Sequence, residues 1–149
     1  MSGMKICIVA PGSKDWERLA ASAENCSWSA GAFLAKDMRR GAFTGWECVF
    51  AAMAGEKIAG FCTLARKDCI ENLPYTPYIG YVFVAEEYRG HRLSQRMIDA
   101  ACAYARGRDF EAVYLISDHE NLYEKYGFEV IDRKMAPWGA MEKIYRKEI

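Results

Sequence analysis

Val82-Phe83-Val84-Ala85-Glu86-Glu87-Tyr88-Arg89-Gly90-His91-Arg92-Leu93-Ser94 is the stretch on which the reading of this chain turns. A β-branched and aromatic run ends in an acidic turn, and a basic, glycine-containing turn then opens a long amphipathic helix. Free N–H groups at a helix start attract anionic oxygens, and cations beside them strengthen the field. Arg89, His91, Arg92 and Arg96 crowd that turn, although the 20 basic and 20 acidic side chains of the whole chain cancel. Local basic density on a neutral chain points to a discrete phosphorylated ligand. It offers no global field to hold nucleic acid or an anionic membrane.

Working outward, Tyr78 to Val84 is a nearly all-apolar strand of the kind covered on both faces. The helix after the turn carries Leu93, Met97, Ala101 and Tyr104 on one side and ends at Gly107. Ala112 to Ile116 reads as a strand, Leu122 to Lys125 as a short helix, and Phe128 to Arg133 and Met141 to Lys147 as closing strands. Toward the N-terminus, Lys5 to Ala10 is a strand closed by Pro11-Gly12. Ser13 is placed to cap a helix beginning at Lys14, with Trp16, Leu19, Ala20 and Ala23 as its buried stripe. A second helix spans about Ser29 to Arg39. Glu47 to Ala54 and Lys57 to Arg66 form a hairpin around Gly55-Glu56, and Asp68 to Pro77 is an irregular connection. The order is β-α-α-β-β-β-α-β-α-β-β, an α+β fold.

With 149 residues, 52% hydrophobic and 27% charged, the chain fits a single domain over 1–149 with a substantial core. The N-terminus has no signal-peptide layout and no apolar run is long enough to span a bilayer, so a cytoplasmic protein is expected. Six cysteines stand in six separate segments without a CxxC pair, four of them inside apolar runs, which reads as structural thiols. Two histidines far apart in sequence argue against a zinc site, and no metal is expected.

Strand, Arg-Gly turn and helix in this order resemble the acyl-CoA-binding motif of the GNAT superfamily of N-acetyltransferases. Downstream, Asn121-Leu122-Tyr123-Glu124-Lys125-Tyr126-Gly127-Phe128 is similar to the Tyr-Glu-Lys-x-Gly-Phe signature after that superfamily's fifth strand. The resemblance covers the C-terminal half closely and the N-terminal half in its order of elements. It implies a mixed central sheet of about seven strands flanked by about four helices, and acetyl-CoA as cosubstrate. Main-chain groups near Phe83 and Val84 would pair with the pantetheine arm, and a main-chain N–H near Val84 would donate to the thioester oxygen. The diphosphate would rest on the amides from Gly90 to Ser94, beside Arg89, His91 and Arg92. Asn121 is an approximate counterpart of the family's asparagine. Tyr123 would protonate the departing thiolate. The turn departs from the usual pattern, since Arg92 and Ser94 stand where small residues are typical.

The resemblance implies transfer of an acetyl group to a primary amine, of a small molecule or of a peptide or protein, by direct attack in a ternary complex. Freeing the lone pair of an amine with a pKa of about 10.4 costs roughly 4–5 kcal/mol at neutral pH, so a base is needed. His119, in the polar run Ser117-Asp118-His119-Glu120, can take the proton directly or through water, oriented by Asp118. Asp118 as a helix cap, and Glu86 or Glu87 as the base, are competing assignments. The acceptor pocket is expected between the two N-terminal helices, the Asp68 to Pro77 connection and the Trp138 loop. Trp28, Trp46, Tyr75, Tyr78 and Trp138 are candidate walls, and Glu47 or Glu71 candidate attractors of a cationic amine. The alternatives are a non-catalytic acyl-CoA-binding regulatory module of the same fold, motivated by Arg92 and Ser94, and a transferase for a larger acyl group. Homodimers are common among resembling proteins and are a further expectation.

Overall fold

The computed structural model describes residues 3–149. Seven strands run β1 (Met4–Val9), β2 (Cys48–Ala54), β3 (Lys57–Ala65), β4 (Tyr78–Val84), β5 (Ala112–Ser117), β6 (Glu129–Met135) and β7 (Met141–Glu148), with α1 (Lys14–Glu24) and α2 (Ala30–Arg39) after β1 and α3 (Leu93–Gly107) after β4. They form one mixed sheet in the order β1-β2-β3-β4-β5-β7-β6. Every neighbouring pair is antiparallel except β4 and β5.

That exception organises the molecule. The two parallel strands meet at a single register pair, Tyr78 with Tyr114, next to a bond from the Tyr114 N–H to the Pro77 carbonyl at 2.9 Å. Beyond this point the sheet opens between them. On its other side β4 carries a bulge: its register against β3 steps from Thr63–Gly80 to Phe61–Phe83, leaving one extra residue on β4. Tyr81, inside that step, has φ 48. A bulge bends its strand and releases ladder groups, which suits a strand whose far half serves a cleft. The whole of β4 is apolar, yet Gly80, Tyr81, Val82 and Val84 are only half-buried, because β5 does not pair with them there.

The two faces of the sheet hold separate cores. Leu93, Met97, Ile98 and Ala101 of α3 pack with Phe50, Leu64, Ile79, Leu115 and Tyr145. On the other face α1 and α2 bury Trp16, Leu19, Leu34 and Met38 with Val49, Phe61 and Phe83. The Trp16 Nε1–H donates to the Met38 carbonyl at 3.1 Å and links those two helices. Each large side chain buried in this way contributes about 1.5–3 kcal/mol, and the two clusters clamp β3 and β4 from both sides.

Several expectations change. Among the described residues there are three α-helices rather than about four: Tyr123–Tyr126 is one 3-10 turn, ended by Gly127 at φ 92, and four residues cannot sustain an α-helix. Ser13 occupies the N-cap position of α1 but its hydroxyl makes no capping bond. All six cysteines are free. Cys48, Cys62 and Cys102 are buried, but Cys7 is exposed because β1 is an edge strand. Among the described residues no helix is long and apolar enough to cross a membrane.

Candidate active site

The basic turn becomes a cradle through two left-handed residues. Gly90 has φ 88 and a Cβ built on it would meet nothing within 4 Å, so the chain there faces open space. Arg92, the N-cap of α3, has φ 58. A left-handed residue with a Cβ carries about 1–2 kcal/mol of strain, which explains why a small residue is the usual occupant of such a position. The first helical bond, from the Arg96 N–H to the Arg92 carbonyl, is 3.0 Å long. The amides of residues 93 to 95 precede it and have no helical partner. Ser94 Oγ lies 2.9 Å from the Tyr126 hydroxyl, tying the helix start to the Tyr123–Tyr126 turn.

The basic side chains divide their work. Arg92 and Arg89 line a cleft of about 640 Å³ with Phe83, Val84, Gly90 and Ser94. Arg89 Nε donates to the Val84 carbonyl at 3.0 Å, so this side chain braces the end of β4. Arg96 Nη2 donates to the Met4 carbonyl at 3.0 Å and joins α3 to β1, away from the turn. His91 is exposed and outside the cleft lining, as is Asn121, which has φ 59.

A second cleft, of about 730 Å³, lies between β4 and β5. Trp28, Val82, His119 and Tyr123 line both clefts, so the two meet at these side chains. Tyr123 is 6% exposed and packs edge-on to His119, Tyr126 and Phe128 with centroids 5.9 to 6.2 Å apart. Burial pushes its phenol up to about 12, and Tyr126, Cys62 and Tyr145 add to the shift. It therefore stays protonated at neutral pH. His119 is held by Ser117 rather than by Asp118: Nδ1 is 2.7 Å from Ser117 Oγ, which also accepts from the His119 main-chain N–H at 3.1 Å. From β7, Tyr145 and Lys143 donate to the His119 carbonyl at 2.9 and 3.1 Å. Four bonds fix this loop.

The other candidates fall on different ground. Glu86 accepts from Ser27 Oγ at 2.7 Å, and that bond, with help from Arg89, holds its carboxyl below the usual range, so it is poorly suited to take a proton. Glu47 is paired with Arg66 at 2.7 Å. Trp46 packs on Phe110 at 5.0 Å, under the Arg66 guanidinium, on the α3 side of the sheet. The Tyr75 hydroxyl donates to Asp132 at 3.2 Å. Tyr78 is a core residue at 2% exposure, and Glu71 lines a neighbouring cavity rather than this one. Trp28 and Trp138 do line the cleft. Trp28 lies parallel to Phe83, 6.0 Å away at 6°, and edge-on to Tyr81.

Three carboxylates, Asp68, Asp118 and Glu142, line the second cleft, and no lysine or arginine does. Burial pushes the Asp68 carboxyl up to about 6 and also raises Glu142, where Asp118 adds to the effect. Asp68, Ser117 and Glu142 escape a motif search because each lies in a segment without a signature. The only sequence signal for Asp68 is an acid directly after a strand, at the head of an irregular connection.

Residues 14–128 match the acetyltransferase (GNAT) family. No curated protein matches. Among solved structures, an acetyltransferase from Streptococcus agalactiae is 20% identical with a TM-score of 0.69, covering 100% of both chains. A GNAT family acetyltransferase from Elizabethkingia anophelis with acetyl-CoA bound is 14% identical with a TM-score of 0.70, also over 100% of both. Aminoglycoside 6'-acetyltransferase type Ii is 16% identical with a TM-score of 0.74, over 97% of this chain and 96% of that one. At these identities the likeness is one of fold.

Proposed function

The chain belongs to the acetyltransferase (GNAT) family, and we propose that residues 1–149 act as a single domain moving the acetyl group of acetyl-CoA to a primary amine by direct attack. The observation that carries this reading is the meeting of the two clefts at Tyr123 and His119. One cleft has helix amides, Gly90 and Arg92 suited to a diphosphate; the other has a carboxylate rim without a lysine or arginine, suited to a cationic acceptor. The solved relative with acetyl-CoA bound supports the first assignment and the aminoglycoside acetyltransferase the second.

In this reading the Gly90 to Ser94 amides and Arg92 hold the diphosphate, and the main chain of Phe83 and Val84 aligns the pantetheine arm. The bulge in β4 and the brace from Arg89 fix that main chain where the thioester needs it. Acetyl-CoA supplies the activated acyl group. Tyr123, kept protonated by burial, donates to the sulfur as negative charge develops there. His119, anchored through Ser117 and β7, takes a proton from the attacking nitrogen directly or through water. Trp28 and Trp138 supply flat apolar walls for the body of the acceptor.

The test is release of free CoA thiol from acetyl-CoA on a panel of primary amines, from monoamines and polyamines to aminoglycosides and a lysine peptide. Turnover with at least one amine and none with matched alcohols is expected. Tight acetyl-CoA binding without turnover on the whole panel would overturn the reading.

A further inference from the structure

We propose that Asp68 is the base that takes the first proton from the acceptor ammonium. The inference rests on the amine-transfer reading and deepens it. Two protons must leave the nitrogen when an ammonium becomes an amide: one before attack, to expose the lone pair, and one after the C–N bond forms. His119 stands edge-on to Tyr123, where the two clefts meet. It can take the later proton and return it to Tyr123 after that phenol has protonated the sulfur. A second group lining the acceptor cleft is needed to accept the earlier one.

Asp68 meets that requirement by position. It lies in the β3–β4 connection and lines the acceptor cleft together with Tyr123, which comes from the β5–β6 connection. Oδ1 accepts from the Cys69 main-chain N–H at 2.7 Å, and Oδ2 lies 3.2 Å from a Cβ built at Gly80, next to the bulge. Among the described residues no lysine or arginine pairs with it. The charged and titratable groups that face it are Tyr78 and Tyr81 of β4, whose pKa values its field helps to raise, and the thiol of Cys69. Behind these stand Glu142 of β7 beside Cys69 and Asp37 of α2 at the Tyr81 hydroxyl. None is a cation. The Tyr78 hydroxyl, buried without a hydrogen-bond partner, belongs to the neighbouring cavity that Asp68 also borders and not to the acceptor cleft. An acceptor ammonium supplies what the carboxylate lacks. With its carboxyl raised to about 6, Asp68 remains mostly ionised at neutral pH yet accepts a proton more readily than an ordinary aspartate.

The electron balance is simple. Asp68 takes H⁺ from R–NH₃⁺, the freed lone pair forms the C–N bond, the C–S electrons leave with sulfur, and sulfur takes the Tyr123 proton. The second nitrogen proton returns to Tyr123 through His119, and Asp68 gives its own to solvent.

The experiment compares pH profiles of kcat/KM for the wild type and Asp68→Asn with an amine from the panel. The wild type should rise through pH about 6 and then level off. Asp68→Asn should lose at least about 10²-fold at neutral pH and recover roughly tenfold per pH unit as free amine becomes available. Acetyl-CoA affinity should not change. A wild-type-like plateau in Asp68→Asn would overturn the role of Asp68 while leaving amine transfer intact; a wild type inactive on every amine would overturn both. Should Asp68→Asn fail to fold, the wild-type Asp68 carboxyl is titrated by carbon-13 NMR with CoA alone and with CoA plus the acceptor. A midpoint lowered by about one unit or more is expected from ammonium contact, and an unmoved midpoint refutes it.

Discussion

The cleft proposed for the coenzyme and the cleft proposed for the acceptor are built in opposite ways. Phe83, Val84, Arg89, Gly90, Arg92 and Ser94 come from twelve consecutive residues, 83 to 94, forming one strand end, one turn and one helix start. The acceptor side gathers Trp28, Asp68, Val82, Ser117, His119, Trp138 and Glu142 from segments that meet only through the sheet. A local site rests on backbone conformation and helix-end geometry, which neighbours in sequence dictate. A dispersed site rests on strand order and on the splay of β4 from β5. The two halves should accordingly fail in different ways.

The hardest blow falls where they join. Tyr123→Phe should reduce kcat by about 10²–10³-fold while acetyl-CoA affinity, read by calorimetry, stays within about twofold. An equal loss of coenzyme affinity would mean that the phenol belongs to one half only.

The same substitution made once on each side sharpens the contrast. A Cβ at Gly60 meets the Phe83 carbonyl oxygen at 2.5 Å and the Val84 Cα at 3.3 Å, so Gly60→Ala must displace the end of β4. It should cost about 1–3 kcal/mol in stability and weaken acetyl-CoA binding roughly tenfold. At Gly80 the contacts at 3.2 Å are Asp68 Oδ2 and Thr63 Oγ1, side-chain atoms that can move. Gly80→Ala should therefore raise the KM for the amine and leave the coenzyme Kd nearly unchanged. Equal effects on both ligands would break the separation.

Stability against pH gives a smaller signal. A carboxyl raised to about 6 in the fold binds its proton more tightly than in the unfolded chain, so its contribution to stability is full at low pH and lost as pH rises toward 6. Asp68→Asn should raise thermal stability above that pH by about 1–2 kcal/mol, discounted for partial exposure, with the gain fading below pH about 4. A gain of the same size at every pH would point to packing instead.

Least of all, Arg92→Gly should relieve the left-handed strain at φ 58 and raise stability by about 0.5–1 kcal/mol, seen as a Tm increase of a few degrees. Weaker acetyl-CoA binding in the same variant would show that the guanidinium offsets the access a glycine provides; tighter binding would show that it does not.

The asymmetry also governs what was legible in advance. Strand boundaries came within one or two residues, because alternating or continuous apolar runs and the Gly55-Glu56 turn are local signals. The 3-10 turn at Tyr123–Tyr126 was misread as a helix, since four residues bounded by Gly127 carry too little pattern to separate the two. Arg89 and Arg96 both add charge near the turn, and charge carries no direction; Arg89 lines the cleft and Arg96 does not. Only the packing of α3 beside β1 turns Arg96 onto Met4, and only the end of β4 gives Arg89 a carbonyl to brace. His119 was found with the wrong support: Asp118 is its neighbour, yet Ser117 and Tyr145 hold it.

The order of residues alone determined the family, the element order and the basic Arg-Gly turn, because those depend on local conformation and on motifs that neighbours define. The tertiary structure decided which arginines face the cleft, where β4 and β5 part, and that Asp68 and Tyr123 line one cleft. Those facts depend on how distant segments pack, and burial, pairing and the loss of water around a carboxylate exist only once the chain has closed on itself.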